Sequence, residues 1–183
     1  MKFDRTIKPY ILILTLIFTA AFLAGMLAPA PVRHEATKAF QFVADQYRGF
    51  TGGALFFNIL LHNVMASILI LVSGVLVGII PTFAIGANGF FLGVVYRQTA
   101  EMLGYSKAAL KVLPHGVFEL PALLIAASYG LWLGVTVVQR MRGKECTRLR
   151  VQIEHAFRRY FAIVFPLLVV AAGIETALIL KLG

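Results

Sequence analysis

Long apolar runs separated by short polar or basic stretches dominate the chain. A helix needs about 20 predominantly apolar residues to cross the hydrocarbon core of a bilayer. Blocks of about this length recur, so the pattern predicts an all-α, polytopic integral membrane bundle of about five transmembrane helices. The predicted spans lie at about 9–28, 55–78, 82–97, 114–138 and 160–180.

The first block has a second interpretation, as the apolar region of a secretory signal peptide. Ala28-Pro29-Ala30 has the small residues of a cleavage site. Such an apolar region is usually about 7–15 residues long, whereas this block is nearer to the length of a span. We therefore predict a retained membrane helix.

The stretch from Ala54 to Tyr96 contains no Lys, Arg, Asp or Glu, and it suits two spans rather than one. Pro81 lies near its middle and predicts the turn, because proline lacks an amide proton and disfavours helix in the residue before it. The second of these spans, 82–97, is short. A re-entrant segment is therefore the alternative to a full crossing there.

An amphipathic stretch at about 32–50 separates the first two spans, and its Phe40, Val43 and Tyr47 recur at three- and four-residue steps. This spacing predicts a short helix that lies in the membrane interface or covers the bundle. In the basic stretch 139–159, a similar spacing of apolar residues predicts a helix along the membrane.

Basic residues indicate the orientation of the chain. Lys and Arg cluster before the first span and in 139–159, and cytoplasmic loops are enriched in these residues. Five full crossings put both clusters on one side, whereas a re-entrant 82–97 would separate them. We therefore predict a multi-pass protein of the plasma membrane, with a cytoplasmic N-terminus, a basic cytoplasmic loop at 139–159 and an extracytoplasmic C-terminus. Binding of anionic lipid headgroups is a second interpretation of that loop.

Composition agrees with a membrane protein and excludes other classes. Hydrophobic residues make up 60% of the chain and charged residues 14%, whereas soluble domains carry about 25% charged residues. The net charge is +9, and the basic residues that produce it lie at the edges of apolar blocks. We therefore predict the lipid bilayer as a partner and no binding of nucleic acid. The single cysteine, Cys146, excludes a disulfide within the chain.

Polar side chains inside the predicted spans are the candidate functional residues. A charged group within a span costs roughly 3 kcal/mol, so it usually faces the bundle interior and meets a partner. His115 and Glu119 are four residues apart and share one helix face. With Asn63, Asn88 and Glu175 they predict a pocket for an ion or a polar ligand. The alternative is that these groups satisfy one another and lock helix packing.

A metal ion is the one cofactor that these residues suggest; its ligands would be His115, Glu119, His62 and Glu175. For His62 an interfacial or packing role is the alternative. An intramembrane metallohydrolase would favour His-Glu-x-x-His, yet the helix of His115 carries no second histidine. A nucleophile elbow, a Walker loop and a paired-cysteine zinc site are also absent from the sequence. We therefore predict no catalytic residues and a protein that is not an enzyme.

Glycines four residues apart recur in the spans and allow helix backbones to approach closely. They would pack helices within one chain or form the face of a homodimer. The pairs are Gly74 and Gly78, Gly89 and Gly93, and Gly130 and Gly134.

Three segments resemble motifs of the stage II sporulation protein M family, most densely over about 55–135. They are Leu60-Leu61-His62-Asn63-Val64, Asn88-Gly89 with Gly93, and Leu113-Pro114-His115-Gly116-Val117-Phe118-Glu119-Leu120-Pro121-Ala122. The resemblance implies an integral membrane protein similar to the membrane anchor of a cell-wall-degrading machine, which assembles with a peptidoglycan hydrolase and a transglycosylase. This chain differs in having a short polar segment between its first two spans.

Three functions follow from these observations. The first is a non-enzymatic membrane anchor or scaffold whose interior polar pocket supports its fold and its binding of other membrane or cell-envelope proteins. The second is a transporter or channel-like protein that handles ions or protons through His115, Glu119 and Glu175. The third is an intramembrane metalloenzyme.

Overall fold

The computed structural model describes residues 6–45, 49–50, 52–144 and 148–182. Within these ranges the chain is helical and has no strand, which confirms the predicted all-α class. A π-helical segment (Tyr160–Val164) connects the last two helices. The helices are α1 (Lys8–Met26), α2 (Ala30–Asp45), α3 (Gly52–Ser73), α4 (Ile79–Leu103), α5 (Tyr105–Met141), α6 (Leu149–Arg159) and α7 (Phe165–Leu182).

Five helical segments in the described ranges are long and apolar enough to cross a membrane, as the sequence predicts. These spans are Lys8–Met26, Gly52–Ser73, Ile79–Leu103, Gly116–Met141 and Leu149–Lys181.

The span within α5 lies at the centre of the bundle. In its most apolar stretch 61% of the residues are buried, against 11–28% in the other four spans. Ala122 and Ala126 let neighbouring helices approach, and the larger Tyr129 and Leu133 fill the core together with Tyr160. The other spans surround α5 and keep much of their apolar surface outside, as expected for helices that face lipid.

Contacts at glycines show that α1 and α4 run in the same direction. Gly89 of α4 lies against Phe18 of α1, and Gly93 lies against Phe22, one turn further along both helices. α4 therefore packs alongside α1, parallel to it, as one continuous helix. This arrangement favours a full crossing by α4 over a re-entrant segment.

The same kind of contact shows that α3 and α5 are parallel. Gly74 of α3 lies against Gly130 of α5, and Gly78, just after α3, lies against Gly134. A Cβ atom at Gly74, Gly130 or Gly134 would overlap the backbone of the opposite segment, so the two helices touch there with almost no side chain between them. α7 is antiparallel to both, because Ser67 of α3 contacts Tyr160 at the start of the last span, whereas Ile59, earlier in α3, clusters with Ala172, later in the last span. Successive spans thus alternate in direction.

The reversal between α3 and α4 lies earlier than the sequence predicts. The chain turns at 74–78, where Val77 has φ +63° and Gly78 has φ +74°. Pro81 is instead the third residue of α4, and the first turn of a helix tolerates proline because its amide groups lack partners within the helix. The prediction of a turn at Pro81 is therefore wrong.

α5 begins earlier than the predicted start of the fourth span. Gly104, with φ +86°, separates α4 from α5, so the chain reverses at a single glycine and α5 starts at Tyr105. Pro114 lies inside this helix and not at its first position. The predicted span at 114–138 corresponds to the apolar part of α5, Gly116–Met141.

Most of the predicted basic loop 139–159 is helical. α5 continues to Met141 and α6 begins at Leu149. The apolar residues of α6 pack against the core cluster, and α6 continues through the π-helical segment into α7. It therefore extends the last span and does not lie as a separate helix along the membrane.

α2 (Ala30–Asp45) takes the place of the predicted amphipathic segment at 32–50. It covers the end of α4, where its Ala36 and the preceding Ala28 pack against Val94 and Phe90. The side chains of Phe40, Val43 and Tyr47, on which the prediction depended, lie outside the described residues.

Candidate functional site

A buried row with four-residue spacing runs along α3 and carries the polar residues of the bundle interior. The row consists of Leu55, Ile59, Asn63, Ser67 and Leu71. Asn63 and Ser67 are thus one turn apart on the face that packs against α5 and α7. A helix buries this row because one residue per turn, repeated at four-residue steps, stays on one side.

Asn63, a residue predicted for the site, is only 9% exposed. Its Nδ2 atom is buried and makes no hydrogen bond to any part of the chain that the structure describes. An unsatisfied buried donor costs about 1–3 kcal/mol. The amide is therefore either a cost to stability or a donor for a ligand group that enters the bundle.

Ser67 and Tyr160 form a hydrogen-bonded pair that the sequence analysis missed. Ser67 Oγ lies 2.8 Å from Tyr160 Oη, and Ser67 also donates to the Val64 carbonyl at 3.0 Å. Both residues are fully buried. Tyr160 opens the π-helical segment, and such segments often occur at functional positions. The four-residue step from Asn63 to Ser67 was the available signal, but nothing in the local sequence pairs Ser67 with Tyr160.

Glu119 is half-buried near the start of the fourth span, and its Oε2 atom is buried. The carboxylate takes part in a polar interaction within the protein. His115 lies one turn earlier in α5, as its spacing predicts. The His115 side chain lies outside the described residues, so its pairing with Glu119 stays a prediction.

The register of the helices sets Asn63 and Glu119 at one level. Gly74 of α3 faces Gly130 of α5, and the two helices are parallel. Asn63 and Glu119 each lie about three turns before these glycines, so they are at the same level of the bundle.

Asn88 lies near the same level. α4 runs opposite to α5, and its Pro81 contacts Gly130. This register puts the half-buried Asn88 within about one turn of the level of Glu119. We call the level that contains Asn63, Asn88 and Glu119 the polar layer.

Glu175 lies apart from the polar layer. It is half-buried in α7 and takes part in a polar interaction. Ser67 faces Tyr160 across the antiparallel α3 and α7. Counted from that contact, Glu175 is roughly 16 Å beyond the level of Asn63, toward the start of α3.

His62 is exposed on the outside of α3, as are its neighbours Leu61 and Met65. Among the residues that the structure describes, no group of three or more His, Cys, Asp or Glu could hold a metal ion. The proposed ligand set of His62, His115, Glu119 and Glu175 therefore has no support from the described geometry.

The chain is similar to one known protein family over nearly its whole length. The profile of the stage II sporulation protein M family matches residues 12–178. An uncharacterized protein of Methanocaldococcus jannaschii is 32% identical over 83 residues, which cover 43% of this chain and 36% of that relative. The match thus spans about a third of the relative's length. No solved structure matches the chain.

Proposed function

This chain belongs to the stage II sporulation protein M family, and from that membership and its helix packing we propose that it is a non-enzymatic membrane scaffold. Its five spans form a fixed bundle in the plasma membrane, and its ends outside the membrane hold other membrane or cell-envelope proteins. The polar layer is an internal part of this fold at one level of α3, α4 and α5, whose register the glycine contacts set.

The observation that carries the proposal is the direct backbone contact between spans. Gly25 of α1 lies against the Phe90 carbonyl of α4, and Gly93 of α4 lies against the Phe22 carbonyl of α1. Each helix thus contributes a glycine that receives the backbone of the other. Such reciprocal contacts leave little room for helices to slide, and alternating access in a transporter depends on movement of one bundle against another.

The bundle offers partner surfaces at both ends. Beyond the end of α1, α2 exposes the polar side chains of His34, Glu35 and Lys38. At the opposite end α6 exposes Arg150 and Glu154, which form an ion pair at 3.0 Å. Neither end contains a large soluble domain in the described ranges. Partners would therefore dock on short helices and on the adjoining membrane surface.

Two matched charge reversals test the scaffold. One exchanges the charges of the α2 ion pair (Glu35→Lys with Lys38→Glu), and the other those of the α6 pair (Arg150→Glu with Glu154→Arg). Both pairs are exposed, so each variant should fold while changing one end of the bundle. We expect each variant to lose a different set of crosslinked, co-purified envelope proteins, identified by mass spectrometry.

A transport function is the competing hypothesis, and the polar layer is the observation that favours it. The same purified protein is therefore reconstituted in liposomes and assayed for proton and cation flux. A scaffold should show no flux above protein-free liposomes. Flux that disappears in the Glu119→Gln variant, with the fold retained, would show that the protein is a transporter and not a scaffold.

A further inference from the structure

A polar cleft lies at the end of the bundle, between the first turn of α2 and the last turns of α4. It has a volume of about 280 Å³ and is lined by Ala30, Arg33, His34, Gln98 and Glu101. The fold creates it because α2 turns back over α4 directly after α1.

Positive charge exceeds negative charge in the ion-pair cluster around Glu101, a residue that lines the cleft. Arg33 Nη1 lies 3.3 Å from Glu101 Oε1, and Arg97 Nε donates to the same oxygen at 2.8 Å. Arg97 Nη1 also donates to Tyr105 Oη at 3.0 Å. Two guanidinium groups thus share one carboxylate, which leaves one positive charge uncompensated in this cluster.

Arg33 is the more deeply buried of the two arginines that pair with Glu101. Its side chain is 19% exposed, and its Nε atom is buried without a hydrogen bond to any described residue. A guanidinium has five N–H donors in a planar fork, and the ion pair with Glu101 uses its Nη1 atom. The planar fork matches the oxygen atoms of a phosphate group.

The cleft lies where lipid headgroups are expected. Gly93 of α4 is level with Met26, the last residue of α1. Gln98 and Glu101 follow Gly93 by roughly 8–12 Å along the helix axis. The headgroup region extends about 5–8 Å beyond each face of the hydrocarbon core, so the cleft lies at its outer edge.

We propose that this cleft, next to the end of the α1 span, binds a phosphate group through Arg33, and that the positive charge of Arg97, which is ion-paired to the same Glu101, supports the binding. The headgroup of an anionic phospholipid and free phosphate share this chemistry. The site goes beyond the proposed scaffold function and does not depend on it.

The experiment uses the purified full chain in detergent, titrated separately with phosphatidylglycerol, phosphatidylcholine and inorganic phosphate. Native mass spectrometry measures the bound fraction. Arg33→Gln should weaken phosphatidylglycerol binding about ten-fold, because it removes a charge-assisted contact. Glu101→Gln should strengthen binding, because it removes the carboxylate that competes for both guanidinium groups.

Lys38→Gln is the matched control. Lys38 lies on the same helix and is 57% exposed, and it hydrogen-bonds to Glu35, whose pKa it lowers, outside the cleft. This variant removes the same charge and should leave binding unchanged. Preference for phosphatidylglycerol over inorganic phosphate identifies the lipid as the ligand, and the reverse preference identifies free phosphate.

Three outcomes would overturn the proposal: no binding of any probe, equal losses in Arg33→Gln and Lys38→Gln, or weaker binding in Glu101→Gln. If Arg33→Gln does not fold, the opposite changes expected for Arg97→Gln (weaker) and Glu101→Gln (stronger) decide the question in the same assay. A purely structural ion pair would not produce a gain of binding on loss of Glu101.

Discussion

At the scale of single residues, the buried polar side chains differ in how their hydrogen bonds are satisfied. Ser128 donates to the Leu124 carbonyl and Thr136 to the Trp132 carbonyl, each within its own helix. Ser67 uses a partner on another span. Asn63 Nδ2 and Thr176 Oγ1, by contrast, are buried without such a bond in the described ranges. The core of a bilayer contains no water that could form the missing hydrogen bonds.

Asn63→Leu should therefore raise the thermal stability of the purified protein. Removal of an unsatisfied buried amide should gain about 1–3 kcal/mol, since leucine fills a similar volume. Thermal unfolding in detergent, followed by circular dichroism, measures the change. Asn58→Leu is the control, because Asn58 already donates to the Ala54 carbonyl at 2.9 Å. A clear loss of stability in Asn63→Leu would show that this amide has a partner in the folded protein.

The candidate residues were predictable from sequence only in part. Asn63, Asn88 and Glu119 could be selected because polar groups within long apolar runs are rare for an energetic reason. Tyr160 was not selected, because a tyrosine beside basic residues is typical of a membrane interface. Its contact with Ser67 depends on how α3 and α7 pack, which no local pattern encodes.

At the scale of helices, glycines determine how closely the spans approach. The spacing of Gly89 and Gly93 predicted a contact face on α4, and the structure shows that this face receives the backbone of α1. The Gly74–Gly78 and Gly130–Gly134 pairs meet each other. The sequence could predict that these faces pack, but not which helix each one meets, because a small-residue step is complementary to many surfaces.

Gly93→Ala should destabilise the bundle, whereas Gly173→Ala should not. A Cβ at Gly93 would overlap the Phe22 carbonyl, but at Gly173 in α7 nothing lies within 4 Å. We expect a loss of about 1–3 kcal/mol for the first substitution. The second should be neutral or stabilising by up to about 1 kcal/mol, since alanine favours helix. Equal melting temperatures for the two variants would contradict the close α1–α4 contact.

At the scale of the whole molecule, the alternating direction of the spans has a consequence for orientation. α2 follows the end of α1, and the α5–α6 connection lies at the opposite end of the bundle, near the start of α1. These two regions must therefore face opposite sides of the membrane. The distribution of Lys and Arg along the chain predicts that the α5–α6 connection is the cytoplasmic one.

Single-cysteine labelling tests this orientation in a Cys146→Ser background. Glu35→Cys on α2 should react with a membrane-impermeant maleimide in intact cells, and Lys144→Cys after α5 should react only after permeabilisation. Both positions are exposed, so accessibility to reagent is not limited by burial. The reverse pattern would invert the orientation, and labelling of both sites in intact cells would exclude the five-crossing topology.

The sequence by itself determined the class of the protein, its helical fold and the number of its spans, because the bilayer requires long apolar helices and these leave a pattern along the chain. It also indicated which polar residues lie within those spans. Only the tertiary structure decided the position of the α3–α4 turn, the pairing of Ser67 with Tyr160, the common level of Asn63 and Glu119, and the cleft at Arg33. Each of these depends on helix register, which is set by contacts between residues that are distant along the chain.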